Sequence, residues 1–233
     1  MRFNRIVLFL CLFPVLLSLG GCGISTKAAS TEERSFLDEL TFLGDPTTAH
    51  MQQRSHLRKE QVWATKDRYL NLDPRITYAR IVAPDTGEEQ TIAEVAARLK
   101  PAYLVITLGI DYGVYYYRDK PETFRLYYEK LLNTITKASP ETTLILQSIF
   151  PVARTAAVIT NEMIQRANEI IREIARDRGL VFVDQTPVLC DGEGYLRPEY
   201  CYSEDGIHLT TSAYEAVLNH LNSFENRIKE NAI

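Results

Sequence analysis

Leu40-Thr41-Phe42-Leu43-Gly44-Asp45-Pro46-Thr47-Thr48 joins an apolar run, which reads as a buried strand, to a glycine and an aspartate, after which a proline and two threonines start a new element. Gly44 permits a tight bend. Asp45 can accept backbone N–H bonds as a helix N-cap, and Pro46 suits the first helical position, where its missing N–H would be unpaired anyway. The stretch is a strand-to-helix turn, and in α/β proteins ligand sites gather at such strand ends.

Working outward, the same alternation recurs along the chain. A polar helix is expected over residues 46–59, while Val62-Trp63 is too short to assign by period. Arg75 to Ala83 alternates apolar and polar residues and reads as a strand, closed by the turn Pro84-Asp85-Thr86-Gly87. Thr91 and Glu94 have capping-box spacing, and the helix they open runs to Pro101. Tyr103 to Leu108 is nearly all apolar, as a strand buried on both faces should be. Helices over 121–138 and 160–178, the second ended by Gly179, alternate with strands over 142–150 and 180–184. A last helix from about Ser212, with Glu215 completing a second capping box, runs to near Lys229. This order predicts a three-layer α/β/α domain around a five-stranded parallel sheet.

Residues 1–21 read as a leader: Arg2 and Arg5 precede an apolar stretch from Ile6 to Leu17, and Leu19-Gly20-Gly21-Cys22 closes it. The small residues before Cys22 resemble a bacterial lipobox, which implies cleavage there and lipidation of the thiol. An ordinary secretory signal or a short anchor helix is the alternative. Either way the domain is expected outside the cytoplasm, lipid-anchored to a membrane through Cys22, with a linker to residue 35 and one folded domain over 36–233. Loss of Arg2 and Arg5 leaves 24 basic and 30 acidic side chains, a formal charge of −6, so no basic face for nucleic acid is expected. Cys190 and Cys201 remain as a pair in the folded part. An exported chain favours a disulfide between them, and two separate thiols are the alternative.

Loops at the carboxyl ends of parallel strands share one rim, so distant residues can meet there. The first supplies Asp45, Pro46 and Thr47, the third Gly109 and Asp111, and the loop before the last helix Asp205, Gly206 and His208. A carboxylate three residues before a histidine can hold its imidazole in one tautomer and stabilise the protonated form, as a general base requires. The same residues could instead be an Asp-Gly turn with a helix-capping histidine.

Phe42-Leu43-Gly44-Asp45, Leu108-Gly109-Ile110-Asp111 and Asp205-Gly206-Ile207-His208-Leu209 resemble, in order, blocks I, III and V of the SGNH/GDSL hydrolases, over about residues 36–225. The resemblance implies a flavodoxin-like sheet and an ancestry of esterases, lipases and carbohydrate deacetylases. These act through a serine served by histidine and aspartate, with an oxyanion hole, and need no cofactor or metal. Carried over, His208 is the base and Asp205 its orienter, and the oxyanion positions fall at Asp111 and, as nearest candidate, Gly87.

Two positions depart from the pattern. Pro46 stands where the family's serine would be, which removes the nucleophile and one N–H donor together. Asp111 replaces an asparagine, and an ionised carboxylate cannot donate a hydrogen bond to an oxyanion. Four readings follow: a binding fold that has lost its nucleophile; a hydrolase in which Thr47 or Thr48 substitutes, although Thr47 is turned about 100° along the helix; carboxylates Asp45, Asp111 and Asp205 activating water or holding a metal with His208; or a variant of an active lineage. Tyr112, Tyr115, Tyr116 and Tyr117 after the third strand, and Tyr195, Tyr200 and Tyr202 before Asp205, can stack on sugar rings or simply pack, as can Trp63. With an exported location, an acetylated polysaccharide or cell-wall glycan is the expected ligand class.

Overall fold

A computed structural model of the chain describes residues 35–232. The leader, Cys22 and the linker through residue 34 lie outside the described residues.

Residues Leu40–Gly44 (β1) carry apolar side chains on both faces because both are covered. β1 pairs in parallel with Val62–Trp63 (β2) on one side and Tyr103–Thr107 (β5) on the other. Thr143–Gln147 (β6) and Val181–Val183 (β7) extend the sheet in the order β2-β1-β5-β6-β7. The register sets Leu43 beside Ile106 and Gly44 beside Thr107.

Successive strand residues feed opposite cores. Leu43, Leu104, Ile106 and Leu146 pack with Val95 of Ile92–Leu99 (α4), Tyr128 and Leu132 of Pro121–Ala138 (α6), and Ile171 and Ile174 of Asn161–Arg178 (α7). Phe42, Val105, Ile145 and Val183 pack with Phe36 of Phe36–Glu39 (α1), Tyr214 and Val217 of Thr211–Asn222 (α9), and Ile228 of Glu225–Asn231 (α10). This is the three-layer α/β/α architecture with a five-stranded parallel sheet.

The helix ends follow their local chemistry. Thr91 and Glu94 form a reciprocal capping box at α4. Thr160 caps α7, whose other end is Gly179 at φ +67°, a left-handed conformation suited to glycine.

Four expectations change. First, Arg75–Ala83 is not a strand of the main sheet. Asp73 folds Arg75 and Ile76 into a short turn, and only Arg80–Val82 (β3) extends, pairing with Glu89–Thr91 (β4) as a separate antiparallel hairpin. The fifth parallel strand is β2. Second, the helix over 46–59 is two short ones, Pro46–Ala49 (α2) and Met51–Arg54 (α3), stopped at Ser55, which turns to extended backbone. Third, the helix expected from Ser212 to near Lys229 is two, α9 and α10, broken at Ser223 and Phe224; α9 is capped by Thr210, whose hydroxyl accepts from Ala213 N–H, while Glu215 reaches His56 at 3.0 Å instead of closing a capping box with Ser212. Fourth, Cys190 and Cys201 are free thiols: their backbones bridge to different partners, Leu196 and Leu209, and the Cys201 thiol bonds Ser203 O. Burial pushes the Cys190 thiol up to about 11. Two further short helices, Gly113–Tyr116 (α5) and Thr186–Leu189 (α8), follow β5 and β7.

Candidate active site

The rim is tied together by Asp45. Gly44 lies so close to β5 that a Cβ there would come within 2.0 Å of Thr107 O. That approach lets the buried Asp45 carboxylate span two loops: Oδ1 accepts from Thr47 N–H at 3.2 Å and Thr47 Oγ1 at 2.6 Å, and Oδ2 accepts from Gly109 N–H at 3.1 Å and Ile110 N–H at 3.0 Å. Burial pushes its pKa up to about 6 against the pull of those donors, so the group is ionised at neutral pH. Behind the rim, Gln185 Nε2 donates to Gln147 Oε1 and Gln147 Nε2 to Thr107 Oγ1, each at 2.8 Å, a buried polar chain that locks the ends of β5 and β6 to the start of α8.

Asp205 and His208 meet as their spacing implied. Asp205 Oδ1 accepts from the N–H groups of Ile207 and His208, and Oδ2 lies 2.5 Å from His208 Nδ1. Burial opposes ionisation of Asp205, but the Ile207 N–H and the His208 ring and N–H outweigh it and hold the carboxyl well below its ordinary range. Gly206, at φ +75°, passes so near Ala156 N that no side chain fits, which presses this loop onto the loop after β6.

The remaining positions divide. Pro46 is buried at the first position of α2, capped by Asp45. Thr47 and Thr48 are buried, and their hydroxyls are committed, Thr47 to Asp45 and Thr48 to Thr107 O; neither is hydrogen-bonded to His208, so the structure does not supply Thr47 as a substitute nucleophile. Gly87 sits in the β3–β4 turn, and its N–H, bonded to Ala83 O, is not free to serve as an oxyanion donor. At the carboxyl end of β2 the rim residues are Ala64 and Thr65. Asp111 is at the rim, with Oδ2 buried and unpartnered; burial raises its pKa while His208 opposes the rise. With both Asp45 oxygens occupied, the set Asp45, Asp111, Asp205 and His208 cannot act jointly, and among the described residues no group of three or more His, Cys, Asp or Glu is placed to hold a metal.

One residue was not foreseen. His50, at the junction of α2 and α3, lies against His208 with ring centroids 4.7 Å apart, its Nδ1 buried without a partner. Burial, with the charges of His208, Arg54 and Arg68, lowers its pKa to about 4, so it is neutral at neutral pH. The only sequence signal was a histidine on the helix that Pro46 opens. Of the tyrosines, Tyr112, Tyr115, Tyr117, Tyr195 and Tyr200 are half-buried, while Tyr116 and Tyr202 stay 56% and 58% exposed; Tyr112 stacks on Tyr116 at 4.3 Å, and arginines lie over Tyr202 (Arg54), Tyr195 (Arg154) and Tyr200 (Arg197). Trp63 is buried.

A 2-1-3-4-5 parallel sheet with an aspartate–histidine pair on the rim at its strands' carboxyl ends defines a hydrolase-type α/β/α domain. The sequence model of the GDSL-like Lipase/Acylhydrolase family matches residues 42–216, and the chain belongs to that family. No curated protein sequence matches it significantly. Similar solved structures include a candidate acylhydrolase from Bacteroides fragilis (17% identity, 81% of this chain and 86% of that one, TM-score 0.56). A GDSL-like lipase from Bacteroides thetaiotaomicron is comparable (16%, 82% and 89%, 0.54). So is an active-site mutant of a family two carbohydrate esterase from Clostridium thermocellum (14%, 82% and 64%, 0.52). These likenesses establish the fold.

Proposed function

We propose that this chain is a lipid-anchored, extracytoplasmic GDSL-family domain whose ester-hydrolase site has lost its nucleophile and now binds acetylated glycan without turnover. The observation that carries the reading is at the start of α2: Pro46 has no hydroxyl, and the two hydroxyls that follow it are buried and bonded elsewhere. The altered Asp111 fits the same history, because a carboxylate cannot stabilise a developing oxyanion. Retention of Asp205 needs no catalysis to explain it, since its Oδ1 also ties down the loop. The leader and Cys22 support the location, and the carbohydrate esterase among the fold neighbours supports the ligand class.

A second reading rests on one observation, the intact 2.5 Å pair of His208 and Asp205, which could activate a water directly on an acyl ester. The two part in one assay: hydrolysis of 4-nitrophenyl acetate and acetylated xylan by the full chain, beside Pro46→Ser, His208→Ala and the double variant. The expected result is a silent native protein and a Pro46→Ser variant at least about 10²-fold above background, abolished when His208→Ala is added. Turnover by the native protein that His208→Ala removes would overturn the binding reading in favour of activated water.

A further inference from the structure

Outside the His208 centre, the segment between β2 and β4 walls an open groove of about 910 Å³. Two of its lining residues are Tyr69 and Tyr78, which are 58% and 76% exposed. Keeping two large aromatic faces in water forgoes the burial that usually recruits such side chains to a core. The charges around them are matched. Lys66, Arg75 and Arg80 face Asp67, Asp73 and Glu89; Arg75 pairs with Asp73 at 2.8 Å, Lys66 lies 3.7 Å from Glu89, and Arg80 bonds the Glu89 carbonyl. A groove with balanced charge has no net attraction for a polyanion or polycation. It does offer planar, fork-shaped donors and acceptors at its edges.

The groove floor is firmly held. Asp73 is buried and accepts from Arg75 N–H, Nε and Nη2, and Leu72 packs so closely on α5 that a Cβ at Gly113 would lie 3.1 Å from it.

We propose that this groove is a second binding site, taking a neutral oligosaccharide whose sugar faces stack on Tyr69 and Tyr78 and whose hydroxyl pairs are read by Asn71, Asp73 and Arg75. The aromatic faces suit the C–H face of a pyranose, and the matched charges suit an uncharged chain. The inference deepens the binding reading above and rests on it for the glycan class.

Calorimetric titration of the full chain with cellohexaose, chitohexaose and, as the anionic comparison, hexagalacturonate tests it. Binding of a neutral hexasaccharide should weaken about fivefold to tenfold in Tyr69→Ala or Tyr78→Ala, more in the double variant, and largely return in Tyr69→Phe and Tyr78→Phe, since stacking needs the ring. Both side chains are exposed, so these variants should keep the native melting temperature. Neutral-glycan binding unchanged in the double alanine variant would overturn the groove while leaving the binding reading intact. Tighter binding of hexagalacturonate, or no binding of either neutral hexasaccharide by the native chain, would also overturn it. The Pro46→Ser hydrolysis assay decides the binding reading separately, because it reads the rim and not the groove.

Discussion

His50 and Asp45 titrate in opposite senses. His50 has a folded pKa of about 4 against an ordinary 6.5, so between those values the unfolded chain holds a proton that the fold excludes. Its contribution therefore falls as pH drops from about 6.5 to about 4. Asp45, pushed up to about 6, holds a proton in the fold that the unfolded chain has lost, and its contribution falls as pH rises through about 4 to 6. The windows overlap, so the native stability curve alone separates nothing. In His50→Gln the loss of stability on acidification from pH 6.5 to 4 should shrink, leaving the Asp45 slope exposed. Urea midpoints across that range check it, and parallel curves for native and variant would contradict the assignment. The Asp205–His208 pair was legible in sequence because it is local, three residues apart on one loop. His50 was not, because what gives it meaning is a ring that only the fold brings alongside.

Among the elements, the pairing of β1 with β5 is the constraint on which the rim depends. Asp45 can reach Gly109 and Ile110 only while Gly44 lies against Thr107, and its absent Cβ is what permits that distance. A methyl there meets backbone oxygen at 2.0 Å and Thr48 Oγ1 at 2.3 Å, neither on a flexible tip. Gly44→Ala should therefore cost about 3 kcal/mol or more, read as a fall in urea midpoint; a loss within about 0.5 kcal/mol would show that β1 can shift freely. The elements that sequence resolved best were those with both period and caps: α4, α6 and α7, whose ends are marked by Thr91, Pro121, Thr160 and Gly179. Two residues cannot show a period, so β2 was invisible. The alternation over Arg75–Ala83 was real, since Ile81 and Ala83 are buried, but period alone does not say which sheet a strand joins. Thr210 and Ser212 are both hydroxyls at a helix start, and only geometry chose between them.

For the whole molecule, the question is what holds the segment before His208 in place once no disulfide does. The expectation of a Cys190–Cys201 bond came from the compartment, which constrains redox chemistry but not position. In the structure that segment is secured by other means: Arg197 donates to Cys190 O at 2.9 Å, Leu196 N–H to Val152 O at 3.0 Å, Tyr202 N–H to His208 O at 2.7 Å, and Thr210 N–H to Tyr200 O at 3.0 Å. Leu189, Leu196 and Leu209 are buried beneath it in the same core as α9. A bond closing so short a loop would add about 2–3 kcal/mol, several degrees in a domain of this size, and reduction would remove it. With the thiols free, the melting temperature of the full chain should be the same with and without dithiothreitol, and Cys201→Ser should melt within about 2 °C of the native chain. A drop of several degrees on reduction, reproduced by Cys201→Ser, would mean that the two cysteines close the loop after all. The backbone ladder from Leu189 to Thr210 would then be secondary to the bond in presenting His208.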